Sequence, residues 1–207
     1  MVDERQDAEL SPRERIVRST AHLMRRRGIS GIGLREIVAH AGAARGSLQT
    51  YFPQGKNQLI EEAIRYAVTE FPPGYGTAIR TAETVADAVR ILVDPWRRLL
   101  LDFDFDAGCP VTPVLIDGIV DERLREVAIE NFDAWTASVQ KVFTVAFDFD
   151  EADARAFAVG LVSSIEGAVL LCRARRDLDA FDDVERLFGQ LGAGRSRRIP
   201  VSEEPAA

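Results

Sequence analysis

Apolar residues recur every three or four positions along almost the whole chain, which is the period of an amphipathic α-helix. The segment 12–27 shows this pattern, because one face would carry Ile16, Val17, Thr20, Leu23 and Met24. The sequence contains neither an internal repeat nor the alternation of apolar and polar residues that is typical of strands. The pattern therefore predicts an all-α fold of about nine helices.

Start and stop signals bound these helices. Ser11 and Glu14 predict a capping box around Pro12, and Gly28 is expected to end the same helix. Pro95 is expected to kink or split its helix. The helices are expected at residues 11–27, 34–41, 44–52, 56–71, 83–104, 112–118, 121–147, 151–176 and 180–191, with 72–76 as a linker.

Residues 34–60 predict a helix-turn-helix. A short helix from Leu34 would be reversed at Gly42, and a second short helix would end near Phe52. The second helix carries no acidic residue, and most of its outward side chains form hydrogen bonds, as contact with base edges and phosphates requires. These outward side chains are Arg45, Ser47, Gln49, Thr50 and Tyr51.

The distribution of charge supports a DNA-binding N-terminal region, although the whole chain has a net charge of −7. Residues 11–60 contain nine Arg or Lys and two Glu, a local charge of +7, whereas residues 61–207 carry −11. A basic region in an otherwise acidic chain is typical of a protein that binds nucleic-acid phosphates through that region.

The stretch G-x-x-R-G-S-L-x-x-Y-F-P-x-G-K-x-x-L at 42–59 resembles the DNA-binding signature of the TetR family of transcriptional regulators. The sequence departs from the family pattern with Gln49 for a usual Tyr, Val38 for Ala, and Ala44 for a hydroxyl residue. The resemblance implies that Lys56 contacts the DNA backbone. The predicted DNA-binding residues are Arg35, Ala44, Arg45, Gly46, Ser47, Gln49, Thr50, Tyr51 and Lys56.

The run D-F-x-x-G-C-P-V at 104–111 resembles a branch of this family that includes repressors responsive to drugs and flavonoids. That resemblance implies a C-terminal pocket for a small apolar or aromatic effector. Its predicted lining is Trp96, Phe103, Cys109, Asp117, Phe132, Trp135 and Glu166. The alternative is that these aromatic residues belong to the core and that Glu166 pairs with Arg173 or Arg175.

The helix at 151–176 mixes small and aliphatic residues, which allows another helix to approach closely. In TetR-like proteins the last two long helices form a dimer interface, so the resemblance implies a homodimer. The predicted interface residues are Phe157, Leu161, Ser164, Ile165, Ala168 and Cys172. The alternative is a helix buried within one chain.

The composition of the chain limits the classes of protein to which it can belong. The apolar share of 46% is ordinary for a globular protein. No stretch approaches the apolar length of a membrane span, and the acidic N-terminus is unlike a signal peptide, so a cytoplasmic location is expected. Two isolated His, two separated Cys and no GxSxG, GxGxxG or P-loop motif predict no metal, no cofactor and no enzymatic activity.

The predicted organisation has four parts: a disordered arm at 1–10, a helix-turn-helix domain at 11–55, an effector and dimerisation domain at 56–192, and a disordered tail at 193–207. The expected function is that of a repressor that binds a palindromic operator in double-stranded DNA as a homodimer and is released by its effector. One alternative is a DNA-binding scaffold whose C-terminal domain binds a protein. Another is a redox switch through Cys109, although no adjacent basic residue would activate its thiol.

Overall fold

The computed structural model describes residues 10–44, 46–70, 74–117 and 121–199, and the predicted all-α class is confirmed. The described residues form ten helices: α1 (Pro12–Arg27), α2 (Leu34–His40), α3 (Ser47–Tyr51), α4 (Lys56–Glu70), α5 (Tyr75–Thr81), α6 (Val85–Asp102), α7 (Thr112–Ile116), α8 (Glu122–Ala146), α9 (Glu151–Arg175) and α10 (Asp179–Leu191).

The chain divides into two compact units whose limits differ from the predicted domain boundary at residue 55. The N-terminal unit comprises residues 1–72 and 106–131, and the C-terminal unit comprises 73–105 and 132–207. The N-terminal unit therefore contains α7 and the first part of α8 in addition to the helix-turn-helix. Sequence patterns could not show this, because the segment 106–131 joins its unit through long-range contacts.

The N-terminal unit is built on α1, which packs against α2, α3 and α4. The predicted capping box is present, since the Ser11 side chain accepts from the Glu14 N–H and the Glu14 carboxylate accepts from the Ser11 N–H. Burial of the predicted apolar face of α1, from Ile16 to Met24, is also confirmed. Local signals thus placed this helix correctly.

The core of the C-terminal unit is formed by α6, α9 and α10, which pack against one another, together with the C-terminal part of α8. Phe143 is fully buried, and its ring contacts those of Phe147, Phe149 and Phe157 at centroid distances of 6.2, 5.5 and 4.6 Å. At the edge of this core, Arg97 of α6 forms ion pairs with two carboxylates of α10. Aromatic packing and α6–α10 ion pairs thus hold this unit together.

Two segments of this unit differ from their predicted helix boundaries. Helix α5 begins inside the predicted linker, after Gly74 in a left-handed conformation (φ 68°), and it continues through residues that no predicted helix covered and buries Ala78. Of the two outcomes expected at Pro95, a kink or a split, the split does not occur, because α6 continues through Pro95. In both places tertiary packing of apolar side chains outweighs the local helix-breaking tendency of Gly and Pro.

The prediction of disorder from residue 193 was wrong for residues 193–199. Arg197 donates hydrogen bonds to the carbonyls of Ile79, Arg80 and Ala82, which close the C-terminal end of α5. Arg195 and Arg198 form ion pairs with Asp153 and Asp148 at 2.6 and 2.9 Å. The arginines of this segment therefore fasten it to the C-terminal unit.

The expectation that no stretch reaches the length of a membrane span also needs correction. Helix α9 is long and apolar enough to cross a bilayer by length and composition. This is weak evidence for a membrane protein, because the core helix of a soluble protein passes the same test, and α9 buries Leu161 and Ile165 against its own chain.

Candidate nucleic-acid interface

Helices α2 and α3 form the predicted helix-turn-helix. Ile37 and Val38 of α2 are buried, and Gly42 makes the turn with a φ of 58°. The Ala43 N–H donates to the Val38 carbonyl at 3.0 Å and closes the end of α2. Leu34 was expected on the buried face, but it is 38% exposed at the start of the helix.

Helix α3 begins at Ser47, later than the predicted start near residue 44. Its C-terminal end is anchored by Phe52, which is buried and donates its N–H to the Leu48 carbonyl at 2.8 Å. Of the predicted DNA-binding residues, Arg35, Ala44, Gly46, Gln49 and Thr50 are exposed, whereas Ser47, Tyr51 and Lys56 are half-buried. Arg45 lies outside the described residues.

Lys56 lies at the start of α4, where its ammonium group is held by the protein itself. Its Nζ donates to the carbonyls of Ile29 and Ile32, each at 2.9 Å. The side chain therefore supports the loop between α1 and α2. Its contact with a DNA phosphate stays a prediction.

Asp117 contacts the same loop. Its Oδ2 atom accepts hydrogen bonds from the backbone N–H groups of Ile29 at 2.6 Å and Ser30 at 2.9 Å. Gly28 leaves room for this carboxylate, because an added Cβ would lie 2.7 Å from Oδ2. Asp117 was predicted in the effector pocket, and no sequence signal pointed to this loop contact.

The local charge of +7 overstates the number of cations available to DNA. Arg18 and Arg25 are buried, and the Arg25 guanidinium donates to the Ala67 carbonyl at 2.8 Å. Arg15 donates to the carbonyls of Ala41 and Leu10. Three exposed arginines form ion pairs with carboxylates: Arg13 with Glu62, Arg26 with Asp106, and Arg27 with Glu36. Most of these arginines therefore stabilise the fold of the N-terminal unit through intramolecular contacts.

A polar seam connects α4 to the start of α8 within the N-terminal unit. Asn57 donates to the Asp121 carboxylate at 2.6 Å, and Arg123 donates to Glu61 at 2.9 Å. Arg65 also donates to Glu61 at 2.9 Å. Hydrogen bonds from Arg123 and Arg65 lower the pKa of Glu61.

The lowered pKa of Glu61 predicts a specific pH dependence. Because the folded pKa lies below the unfolded one, Glu61 contributes stability above its unfolded pKa, about 4.3, and this stability is lost as pH falls through the folded pKa. Glu61→Gln is expected to reduce the free energy of unfolding near neutral pH by about 1 kcal/mol or less.

Urea unfolding of the wild type and of Glu61→Gln at neutral and acidic pH checks this prediction. Glu130→Gln is the control, because Glu130 forms a longer and more exposed ion pair with Arg65, at 4.0 Å. The stability difference should shrink as the pH falls. A difference that stays constant with pH would contradict the account.

The residues predicted for the effector pocket fall into both units, Cys109 and Asp117 in the N-terminal one and the others in the C-terminal one. The structure brings together Trp96, Phe132 and Trp135. The Trp96 and Trp135 rings stack at 5.2 Å, and Phe132 lies 6.3 Å from Trp135. Phe103 and Glu166 are half-buried, and the thiol of Cys109 is buried.

The predicted dimer residues lie mainly on the inner face of α9. Phe157, Leu161, Ile165, Ala168 and Cys172 are buried within the single chain, and only Ser164 is partly exposed. Five of the six predicted interface residues are therefore covered by the chain itself. The outer faces of α9 and α10 instead expose Val159, Leu170, Leu171, Leu187 and Leu191.

The part of the chain that the structure describes contains no group of three His, Cys, Asp or Glu side chains able to hold a metal ion.

Comparisons with known proteins agree with this architecture. Residues 16–63 match the family described as bacterial regulatory proteins, tetR family, and residues 85–187 match the C-terminal domain of LmrA/YxaF-like transcriptional regulators. An uncharacterised HTH-type transcriptional regulator of Mycobacterium tuberculosis H37Rv is 38% identical over 187 residues, 87% of this chain and 93% of the relative. The HTH-type transcriptional regulator LmrA of Bacillus subtilis is 29% identical over 170 residues, 77% of this chain and 85% of LmrA.

Solved structures show the same fold. A TetR transcriptional regulator from Chloroflexus aurantiacus has a TM-score of 0.73 and 22% identity, over 93% of this chain and 98% of that one. The regulatory protein TetR from Rhodobacter sphaeroides has a TM-score of 0.76 and 20% identity, over 86% of this chain and 96% of that one.

Proposed function

Because the chain belongs to the TetR family of bacterial transcriptional regulators, we propose that it is a repressor that binds a palindromic operator as a homodimer and is released by a small apolar or aromatic effector. The observation that carries the proposal is α3, a short helix with an exposed polar face held by the buried residues of α1 and α2. We infer a cytoplasmic location, where the DNA is, and no catalytic activity.

In this proposal Arg45 contacts a base edge in the major groove, preferably the O6 and N7 atoms of guanine. A good bidentate contact of this kind discriminates against a wrong base by about 1–3 kcal/mol. Ser47, Thr50 and Tyr51 hold phosphates and fix the register of α3, and Gln49 suits adenine where it reaches the groove. The exposure of Gln49 and Thr50 supports these roles.

The second copy would dock on the exposed apolar face of α9 and α10. Positions 159, 163, 167, 170 and 174 of α9 follow helical spacing and carry apolar or small side chains. Leu187 and Leu191 extend this face onto α10. A symmetric dimer would place two helix-turn-helices on two half-sites, which gives a short recognition helix its specificity.

The effector would bind beside the stacked rings of Trp96, Phe132 and Trp135, since aromatic side chains suit an apolar ligand. Effector binding would favour the conformer with lower operator affinity, by no more than its differential affinity for the two conformers. The two stacked residues are the only tryptophans of the chain, so their fluorescence reports on this site.

The test is selection of random duplex DNA by the purified full-length protein, followed by sequencing of the bound fraction. The proposal predicts a consensus of two inverted half-sites spaced about one helical turn apart, as two symmetric recognition helices require. Recovery of duplexes without a consensus would leave only the sequence-independent attraction of phosphates. A single asymmetric half-site would contradict the dimer.

A further inference from the structure

The loop between α1 and α2 is held by two side chains of opposite charge. The carboxylate of Asp117 accepts hydrogen bonds from the backbone N–H groups of Ile29 and Ser30. The ammonium group of Lys56 donates hydrogen bonds to the backbone carbonyls of Ile29 and Ile32. We call this arrangement of residues 28–32 with Asp117 and Lys56 the loop bracket.

The backbone at the start of the loop is shaped for the bracket. Gly28 has φ 71° and ψ −175°, a region that is essentially restricted to glycine. An added Cβ would also lie 2.7 Å from Oδ2 of Asp117. Gly28 therefore supplies both the backbone conformation and the space through which the carboxylate reaches the N–H groups.

The segment that carries Asp117 contacts α1 at a second point. The Gly108 N–H donates to the Arg25 carbonyl in the last turn of α1 at 2.9 Å. Asp117 is the C-cap residue of α7, and its own N–H donates to the Pro113 carbonyl at 3.0 Å. Because it is tied to α7 in this way, a shift of α7 would displace its carboxylate from the loop.

The bracket ends where the helix-turn-helix begins. Ile32 is buried and is followed directly by Gly33, the N-cap of α2. The Gly33 carbonyl accepts from the N–H groups of Glu36 and Ile37 at 3.1 Å each. The loop bracket therefore sets how the chain enters α2, and α2 in turn packs against α3. Binding sites lose affinity when their supporting residues allow displacements of about 0.5 Å or more.

We propose that Asp117 is a positioning residue for DNA binding and the point at which α7 controls the helix-turn-helix. This inference rests on the proposed DNA-binding function. With the carboxylate on the loop, α2 and α3 are held for operator binding. A conformer that withdraws Asp117 frees the N–H groups of Ile29 and Ser30 and binds the operator more weakly, although Asp117 touches no DNA.

Thermodynamic linkage adds a second consequence. If the bracket favours operator binding, operator binding must favour the bracket by the same factor. Binding of the duplex should therefore slow hydrogen exchange of the Ile29 and Ser30 amides. If Asp117 only stabilised the fold, duplex binding would slow exchange of these two amides no more than that of the other amides of the N-terminal unit.

The experiment compares the wild type with Asp117→Ala and Asp117→Asn, using the full-length protein and the duplex selected by the wild type. Asp117→Ala is expected to lower operator affinity by about 10- to 100-fold, the equivalent of losing hydrogen bonds to a charged group. Asp117→Asn should retain most of the affinity, because its carbonyl oxygen can accept from both N–H groups. Asp121→Ala is the matched control, since it removes a capping carboxylate of the same segment away from the loop.

Unchanged operator affinity in folded Asp117→Ala would overturn the inference, and so would equal losses in Asp117→Ala and Asp121→Ala. If Asp117→Ala does not fold, hydrogen exchange of the Ile29 and Ser30 amides is compared in the wild-type protein with and without the duplex. Exchange rates that the duplex does not change would contradict the inference. Failure of the proposed function has a different signature, since the wild type would then select no duplex.

Discussion

Replacing Leu170 with aspartate is expected to convert the protein to a monomer and to lower operator affinity by about 100-fold or more. Leu170 lies on the outer face of α9 and is 52% exposed in the single chain. In the proposed dimer this position would be covered by the second copy, so the substitution would bury an unpaired carboxylate in apolar surroundings. Each helix-turn-helix would then bind its half-site alone.

The matched control is Leu101→Asp, the same substitution at a leucine of α6 that is 56% exposed. Light scattering gives the oligomeric state, and fluorescence anisotropy gives the affinity for the selected duplex. Leu101→Asp should leave both properties unchanged. A Leu170→Asp protein that remains a dimer with wild-type affinity would show that the second copy binds elsewhere.

Phe143→Ala is expected to produce the largest loss of stability, about 3–5 kcal/mol in the free energy of unfolding. Phe143 of α8 is fully buried and contacts three other phenylalanine rings, of which Phe157 is nearest at 4.6 Å. Truncation removes buried apolar area and leaves a cavity that rigid aromatic neighbours fill poorly.

Urea unfolding, followed by the fluorescence of the two tryptophans in the C-terminal unit, measures this loss of stability. Phe132→Ala provides the control, because Phe132 lies on the same helix but is half-buried, and its truncation should cost clearly less. Equal losses in the two variants would mean that the phenylalanine cluster is not the centre of this core.

Local sequence signals predicted the helices well wherever caps and periodicity agreed. The capping box at Ser11 and the stop at Gly28 bound α1 in the structure as expected. Helix α5 was missed because its stability depends on distant groups, among them the guanidinium of Arg197 at its C-terminal carbonyls. No local pattern records a contact across more than a hundred residues.

Periodicity does not distinguish the two apolar faces of one helix. Helix α9 carries Phe157 and Leu161 on one face and Val159 and Leu170 on another, and only the structure shows which pair its own chain covers. The dimer prediction therefore selected the inner face. Such an assignment requires knowledge of tertiary packing.

The DNA-binding prediction counted charges without their helical phase. Arg18 and Arg25 lie three and four positions from Ala21, on the side of α1 that is buried. That spacing is present in the sequence, and it excludes both arginines from the count of cations available to phosphates. The contact of Asp117 with Ile29 and Ser30, by contrast, spans almost ninety residues and left no sequence signal.

Sequence-specific operator binding is tested by measuring the affinity of the wild type and of Arg45→Ala for the selected duplex and for a scrambled duplex of equal length, across a salt series. The wild type is expected to prefer the selected duplex, and Arg45→Ala is expected to reduce this preference by about 1–3 kcal/mol. The preference should persist as salt weakens the phosphate contacts. Equal affinity for both duplexes, with a steep salt dependence that Arg45→Ala does not change, would contradict sequence-specific operator binding.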